Sequence, residues 1–142
     1  MAITLRHTLI CDEVRVENNG KLLIIGLYGP GPSASSVILV PQIPFVFPSL
    51  TFVQWLESDR PAQVQFRASI SHLESGQEVS QVAGLAGIPA PGTGLALIGF
   101  RPLRLDRLGA YTFTVLYEGQ APMATSFEVS LPPIPMPAQQ AR

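Results

Sequence analysis

The chain has 142 residues, a mass of 15.3 kDa and a formal net charge of −1, from 9 basic and 10 acidic residues. This length suits one domain with a sizeable core. The near-neutral balance argues against a nucleic-acid partner, which would require a basic surface. Only 13% of the residues are charged, against roughly 25% in ordinary soluble domains, and this composition excludes a coiled coil or a charged disordered tail.

The N-terminal segment favours a β-strand over a targeting signal. Ile3, Leu5 and His7 alternate with polar residues, and Asp12 follows before any apolar signal region can form. The single cysteine, Cys11, excludes an intramolecular disulfide. We therefore expect a cytoplasmic protein, or one assembled into a particle.

The next two segments predict a hairpin around Asn18-Asn19-Gly20, because Asn-Gly supplies the positive φ angles of tight turns. A three-residue loop would place Glu17 opposite Lys21 as a favourable pair, whereas a two-residue loop would shift that register. Both alternatives remain open. The segment Leu22–Ile25 is apolar on both faces, which predicts either a central strand covered on both sides or one end of a subunit contact.

A run of 35 residues from Leu22 to Leu56 contains no Asp, Glu, Lys or Arg. Its prolines and glycines exclude a membrane helix, so it predicts strands joined by uncharged loops. We expect a short strand over Val37–Val40, an irregular path over Pro41–Pro48 and a strand over Leu50–Leu56.

The second half of the chain continues with period-two alternation. Strands are predicted over Val64–Ile70, Glu78–Val82 and Leu95–Phe100, and the residues rich in Gly, Pro and Ala from Ala83 to Gly94 predict a loop. A final hairpin places four apolar residues on one face of its first strand: Tyr111, Phe113, Val115 and Tyr117.

These elements predict one domain over residues 1–131, followed by a proline-rich extended tail at 132–142. Eight or nine short strands with Gly/Pro turns and no helical period predict an all-β fold, an immunoglobulin-like antiparallel β-sandwich. The segment Leu108–Phe113 is similar to the corner of such domains, where a tyrosine hydroxyl bonds to nearby backbone.

Three stretches, Cys11–Glu17, Gly20-Lys21-Leu22 and Gly26-Leu27-Tyr28, resemble a bacterial family of small proteins of unknown function. The strand opening Gly109–Phe113 is also similar to that family. The resemblance implies an all-β fold, and it supplies no activity, substrate or catalytic residue.

The sequence shows no spacing typical of a metal site, a phosphate loop or a nucleophile elbow, so we expect no catalytic residue, metal or cofactor. Cys11 is expected to be a buried structural thiol, and His7 and His72 are expected at or near the core rim. An enzyme would need His7, His72 and either Asp12 or Glu13 to converge in one pocket.

Two groups of residues are candidates for contact with a protein partner. The densest charged group predicts either a solvated, charge-paired hairpin or a polar contact: Asp12, Glu13, Arg15 and Glu17. The charge-free run contains four aromatic residues that predict an interface, because interface cores are depleted in charge and rich in aromatics: Phe45, Phe47, Phe52 and Trp55.

The leading hypothesis is therefore a non-enzymatic protein–protein interaction module, oligomeric through this interface, whose partner is itself or another protein. One alternative is a structural component of a particle, such as a phage-type decoration or assembly protein. Another is a small-ligand binder or enzyme with an unrecognised site. We expect no nucleic acid and no membrane span.

Overall fold

The structure, a computed structural model, describes residues 2–29, 36–89 and 92–133. Within these ranges the chain forms twelve strands and no helix, which confirms the all-β prediction. The strands are β1 (Ile3–Cys11), β2 (Glu13–Val16), β3 (Leu22–Ile25), β4 (Ser36–Leu39), β5 (Phe45–Phe47), β6 (Leu50–Ser58), β7 (Ala62–His72), β8 (Glu78–Ile88), β9 (Thr93–Phe100), β10 (Leu103–Leu105), β11 (Gly109–Tyr117) and β12 (Met123–Ser130). No helix in the described ranges is long and apolar enough to cross a membrane.

Two larger sheets hold most of the strands. One has the order β1-β6-β9 and the other the order β4-β12-β11-β7-β8. Pairing is antiparallel throughout, except that β4 runs parallel to β12. Two smaller pairs, β2-β3 and β10-β5, complete the set.

The core lies between the two larger sheets, because each sheet turns one apolar face inward. Phe52 of β6 stacks on Phe113 of β11 with ring centroids 3.9 Å apart and an interplanar angle of 4°. Phe100 and Phe127 contact the same ring of Phe52 from their own strands. The predicted inward face of β11 is confirmed, since all four of its residues are at most 1% exposed: Tyr111, Phe113, Val115 and Tyr117.

The predicted tyrosine corner is present at the start of β11. The Tyr111 hydroxyl donates a hydrogen bond to the carbonyl oxygen of Arg107 at 2.6 Å. Gly109 between them has φ +116°, a value that side-chain-bearing residues rarely adopt. The corner therefore fixes the entry of the chain into the central strand of the five-stranded sheet.

The apolar segment Leu22–Ile25 does not form a central strand, so that alternative was wrong. Among the described strands it pairs with β2 alone, and Leu23 is 45% exposed. Of the two turn alternatives, the three-residue loop forms: Glu17 N–H donates to the carbonyl of Lys21 at 2.8 Å, and Gly20 adopts φ +83°. The hairpin thus projects as a two-stranded sheet.

The loop predicted over Ala83–Gly94 was also wrong in extent, because β8 continues to Ile88. Its backbone pairs with β7 as far as Ala62, opposite Ile88. Gly84 lies opposite Phe66 in this pairing and leaves room for its ring, since a Cβ there would lie 3.0 Å from that ring. Glycine in this strand therefore permits close packing and does not mark a turn.

The proline-rich stretch Pro41–Pro48 contains the unpredicted strand β5, which pairs with β10. Leu103 and Leu105 of β10 are buried, so this pair of short strands contributes to the core. The tail predicted at 132–142 is described only for Pro132 and Pro133, which are exposed. Its remainder lies outside the described residues.

Candidate functional site

A pocket of about 370 Å³ lies where the base of the β2-β3 hairpin meets β4 and β5. It brings together two of the predicted polar-contact residues and two of the predicted interface aromatics. Its walls include the following six residues: Asp12, Glu13, Tyr28, Leu39, Phe45 and Phe47.

Asp12 occupies the position between β1 and β2, where the chain passes from the larger sheet into the hairpin. Its carboxylate oxygen Oδ1 accepts a hydrogen bond from the Tyr28 hydroxyl at 2.6 Å. Burial, followed by this bond to Asp12, raises the pKa of the Tyr28 hydroxyl. Tyr28 is therefore held protonated as the donor.

Backbone contacts hold the two ends of this bond in place. The Asp12 N–H donates to the carbonyl of Ile25 at 3.0 Å, and the Tyr28 N–H donates to the carbonyl of Ile10 at 2.8 Å. Gly26, between them, has φ +69°, and a Cβ on it would overlap the Asp12 carboxylate. Only glycine lets the chain pass this close to the carboxylate.

The Asp12 carboxylate has no cationic partner within the described ranges, where the ion pairs are Arg6–Glu57, Arg15–Glu13, Arg60–Asp59 and Arg104–Asp106. Glu13, the second acid of the pocket, pairs with Arg15 at 3.0 Å on the exposed hairpin. Glu17 lies away from the pocket, at the hairpin turn. The pocket thus presents one carboxylate that no cation of the described residues neutralises.

The apolar wall of the pocket is formed by β4 and β5. The rings of Phe45 and Phe47 meet edge to face with centroids 4.8 Å apart. Phe47 is 4% exposed, Phe45 is half-buried, and Leu39 is 55% exposed. Phe47 therefore forms the floor, while Phe45 and Leu39 offer apolar surface at the rim.

The other two predicted interface aromatics lie elsewhere. Phe52 is fully buried in the core, stacked on Phe113, so its side chain contributes nothing to the surface. Trp55 is half-buried on β6, opposite His7 of β1 and Leu95 of β9. Trp55 is not among the residues that line the pocket.

The convergence that an enzyme would require does not occur among the predicted candidates. His72 is buried in the five-stranded sheet, where Nδ1 lies 2.9 Å from Ser75 Oγ and Nε2 lies 3.0 Å from the carbonyl of Leu108. Because a carbonyl only accepts, Nε2 carries the proton. His7 is exposed on β1, so its expected place at the core rim was wrong.

Cys11 is fully buried, as predicted, with Sγ 3.7 Å from the carbonyl oxygen of Glu13. Burial raises the pKa of its thiol, and the negative charge of Asp12 adds to this effect. A thiol held in its protonated form is a poor nucleophile and metal ligand. The described residues include no group of three or more His, Cys, Asp or Glu placed to hold a metal ion.

Sequence reasoning missed four residues of the pocket: Tyr28, Leu39, Pro48 and Ser49. Tyr28 belongs to the Gly26-Leu27-Tyr28 motif of the family resemblance, and that motif was the signal available for it. Leu39 carries no signal, because one strand leucine resembles another until the neighbouring strands are known. A larger, more open depression of about 610 Å³ lies on β7, β8 and β11, and it contains none of the predicted site residues.

Comparison with solved structures shows likeness at the level of the fold. The alkylpurine DNA glycosylase AlkC of Pseudomonas fluorescens, solved bound to DNA containing an abasic site analog, matches with a TM-score of 0.51 and 13% identity. The match covers 90% of this chain but only 30% of the glycosylase. A protein described as a beta-galactosidase of Bacteroides fragilis matches with a TM-score of 0.42 and 18% identity, over 55% of this chain and 13% of the other.

None of the curated proteins matches this chain. A family model does match, over residues 6–130, a range that includes every pocket residue and all twelve strands except the first three residues of β1. The chain therefore belongs to DUF6941, a family of unknown function.

Proposed function

We propose that this chain is a protein-binding module that self-associates through the pocket between the hairpin and β5. The observation that carries the proposal is that residues from two separate predictions, the acids of the hairpin and the aromatics of the charge-free run, line one pocket. Neither group was expected to contact the other.

The apolar surface around the pocket supports this proposal. Leu39 lines the pocket and is 55% exposed, and Phe45, which lines it as well, is half-buried. Exposed apolar groups that lie together mark interaction sites more often than scattered ones do. Burying them against a partner would remove this apolar area from water.

The charge distribution points to a second copy as the partner. Tyr28, Leu39, Phe45 and Phe47 all belong to the run of 35 residues that carries no formal charge. Two copies meeting through the apolar wall that β4 and β5 form would bring few charges together, so that part of the contact would carry little desolvation cost. A symmetric contact would also bury the same patch twice.

We propose further that the two larger sheets form an immunoglobulin-like β-sandwich. The tyrosine corner at Tyr111 and the face-to-face packing of Phe52 on Phe113 support this assignment. Such a scaffold would hold the pocket on rigid strand ends, and binding residues of many proteins lie on segments positioned in this way.

Light scattering across a roughly hundred-fold range of protein concentration tests the proposal, because mass action favours the oligomer as concentration rises. We expect the wild-type chain to form an oligomer and the Leu39→Lys variant to remain monomeric. The matched control is Leu85→Lys, because Leu85 is similarly exposed, at 60%, but lies on β8 away from the pocket. A wild-type chain that stays monomeric throughout would overturn the proposal.

A further inference from the structure

We propose that the pocket is a groove for polyproline and that its occupant is segment 132–137 of a second copy. This inference rests on the self-association proposed above and names the contact that produces it. The segment reads Pro-Pro-Ile-Pro-Met-Pro. Residues 134–137 lie outside the described ranges.

The walls of the pocket suit a proline-rich ligand. Two aromatic rings, Phe45 and Phe47, stand edge to face beside the Tyr28 ring, and Pro48 adds a further apolar surface. Aromatic-lined grooves bind polyproline segments because the pyrrolidine rings are apolar and the helix is already extended before binding. Little conformational entropy is then lost when the segment docks.

The segment begins beside the pocket. Strand β12 ends at Ser130, which is aligned with Leu39 of β4, and the Val40 N–H donates to the Ser130 carbonyl at 2.9 Å. Leu39 is itself a wall of the pocket. In a symmetric dimer that joins the two pockets, the tail of each copy would therefore start next to the pocket of the other.

The first residues of the tail lie at the surface of their own copy. Leu131, Pro132 and Pro133 are all exposed, and consecutive prolines resist a sharp reversal because their φ angles are fixed. At about 3.1 Å per residue, the six residues 132–137 would span about 19 Å as a polyproline helix.

The charges of the two surfaces are complementary. Residues 131–142 contain no acidic residue, and their one charged residue is Arg142. The pocket contributes Asp12, whose carboxylate lacks a cationic partner among the described residues, and Glu13. The tail therefore brings no negative side chain to the acidic rim of the pocket. The positive charge of Arg142, downstream of the prolines, is of the sign that this rim attracts.

The test compares two variants of the full chain. The tail variant carries Ile134→Asp and Met136→Asp and keeps an intact pocket, while the pocket variant carries Leu39→Lys and keeps an intact tail. Each is expected to be monomeric by light scattering. Mixed together they should form a heterodimer, because one of the two pocket–tail contacts is then complete.

A labelled synthetic peptide of residues 131–142 measures the contact directly by fluorescence anisotropy. We expect it to bind the tail variant and to bind the pocket variant at least about tenfold more weakly, as for loss of an interface hot spot. The Leu85→Lys control should form the same oligomer as the wild-type chain, and it should give the same anisotropy change with the peptide as the wild-type chain does.

Each other result overturns the inference in a distinguishable way. If the tail variant still forms the oligomer, self-association stands but the tail is not its cause. If the peptide fails to bind the tail variant, the pocket is not a polyproline groove. If wild-type protein is monomeric and excludes a peptide that the tail variant binds, the occupant is the tail of the same chain, and both proposals that require a second copy are wrong.

Discussion

The Tyr28 hydroxyl and the Asp12 carboxylate, sixteen residues apart in the chain, form a 2.6 Å hydrogen bond that joins the end of the β2-β3 hairpin to its beginning. The bond is charge-assisted, because an ionised carboxylate accepts it. It therefore fixes both the geometry of the hairpin base and the shape of the pocket that Asp12 and Tyr28 line together.

Removing the hydroxyl should lower the free energy of unfolding. For Tyr28→Phe we expect a loss of about 1–2 kcal/mol, near the low end of values for hydrogen bonds to charged groups, because both residues are partly exposed. Urea unfolding measures the change. The control is Glu13→Gln, which breaks only the exposed ion pair with Arg15 and should cost no more than about 0.5 kcal/mol. Equal effects of the two variants would contradict this account.

Gly26 should tolerate substitution less well than a glycine of similar backbone conformation in open space. Gly20→Ala adds a Cβ that meets nothing within 4 Å, at φ +83°, and should cost about 1 kcal/mol from left-handed strain alone. Gly26→Ala carries the same strain and also displaces the Asp12 carboxylate, so we expect about 2 kcal/mol or more.

A double-mutant cycle separates these two costs. If the added methyl group acts through Asp12, the effects of Gly26→Ala and Asp12→Ala on the free energy of unfolding will be less than additive. Strict additivity would show that the overlap with the carboxylate contributes nothing and that backbone strain is the whole cost.

Tyr117 and Gln54 form the buried polar contact between the two larger sheets. The Tyr117 hydroxyl donates to Gln54 Oε1 at 2.6 Å, and both side chains are 0% exposed. Tyr117→Phe leaves that oxygen without its partner, and we expect a loss of about 1–3 kcal/mol in urea unfolding. Combining it with Gln54→Met removes the orphaned group, so the double variant should be more stable than the sum of the single effects implies.

Phe52 and Phe45 belong to the same charge-free run but should respond differently to truncation. Phe52→Ala opens a cavity beside Phe113 and should cost about 3–5 kcal/mol. Phe45→Ala, at the half-buried rim of the pocket, should cost about 1 kcal/mol and weaken self-association. Thermal unfolding and light scattering, measured on both variants, check the contrast. Equal loss of stability would contradict the assignment of Phe45 to the rim.

The three tyrosines of the chain should titrate late. Burial raises the pKa of Tyr28, Tyr111 and Tyr117 above the ordinary value, which is about 10 in an unfolded chain. At a pH between the unfolded and the folded pKa values, the unfolded chain has released the tyrosine protons that the folded chain still keeps. The stability they contribute is therefore complete below about pH 10 and is lost as the pH rises through the folded values.

Ultraviolet absorbance of tyrosinate checks this prediction. Native protein should show little tyrosinate at about pH 10, where the chain in guanidinium is half ionised, and the urea midpoint should fall as the pH rises further. A native titration with one-third of the full amplitude near pH 10 would show that one tyrosine is not protected.

Local patterns were sufficient for much of the fold. Alternation of apolar and polar residues marked β7 and β11, because a strand with one buried face must repeat every two residues. The Gly-x-Tyr spacing before β11 was sufficient for the corner at Tyr111, since the bond to Arg107 spans only four residues. The hairpin around Asn18–Gly20 was also predicted, with the choice between a two-residue and a three-residue loop left open.

Local patterns failed where pairing decides the structure. Ala83–Ile88 reads as a loop from composition, yet it is a strand because β7 offers its backbone along the whole length. Leu22–Ile25 reads as a buried strand, yet within the described part of the chain it pairs with β2 alone. Phe52 and Phe45 have the same side chain in the same neutral run, and only the packing of one sheet on the other buries the first and leaves the second at a rim.

By itself, then, the sequence determined that this protein is built from strands with one apolar face and that a long part of its chain carries no charge. It also named the acids at 12 and 13 and the aromatics at 45 and 47 as separate candidates. Only the tertiary structure placed them around one pocket with Tyr28 and Leu39. The reason is physical: periodicity reports on neighbours within one strand, whereas a pocket is made by chain crossings, whose positions depend on how distant strands pair.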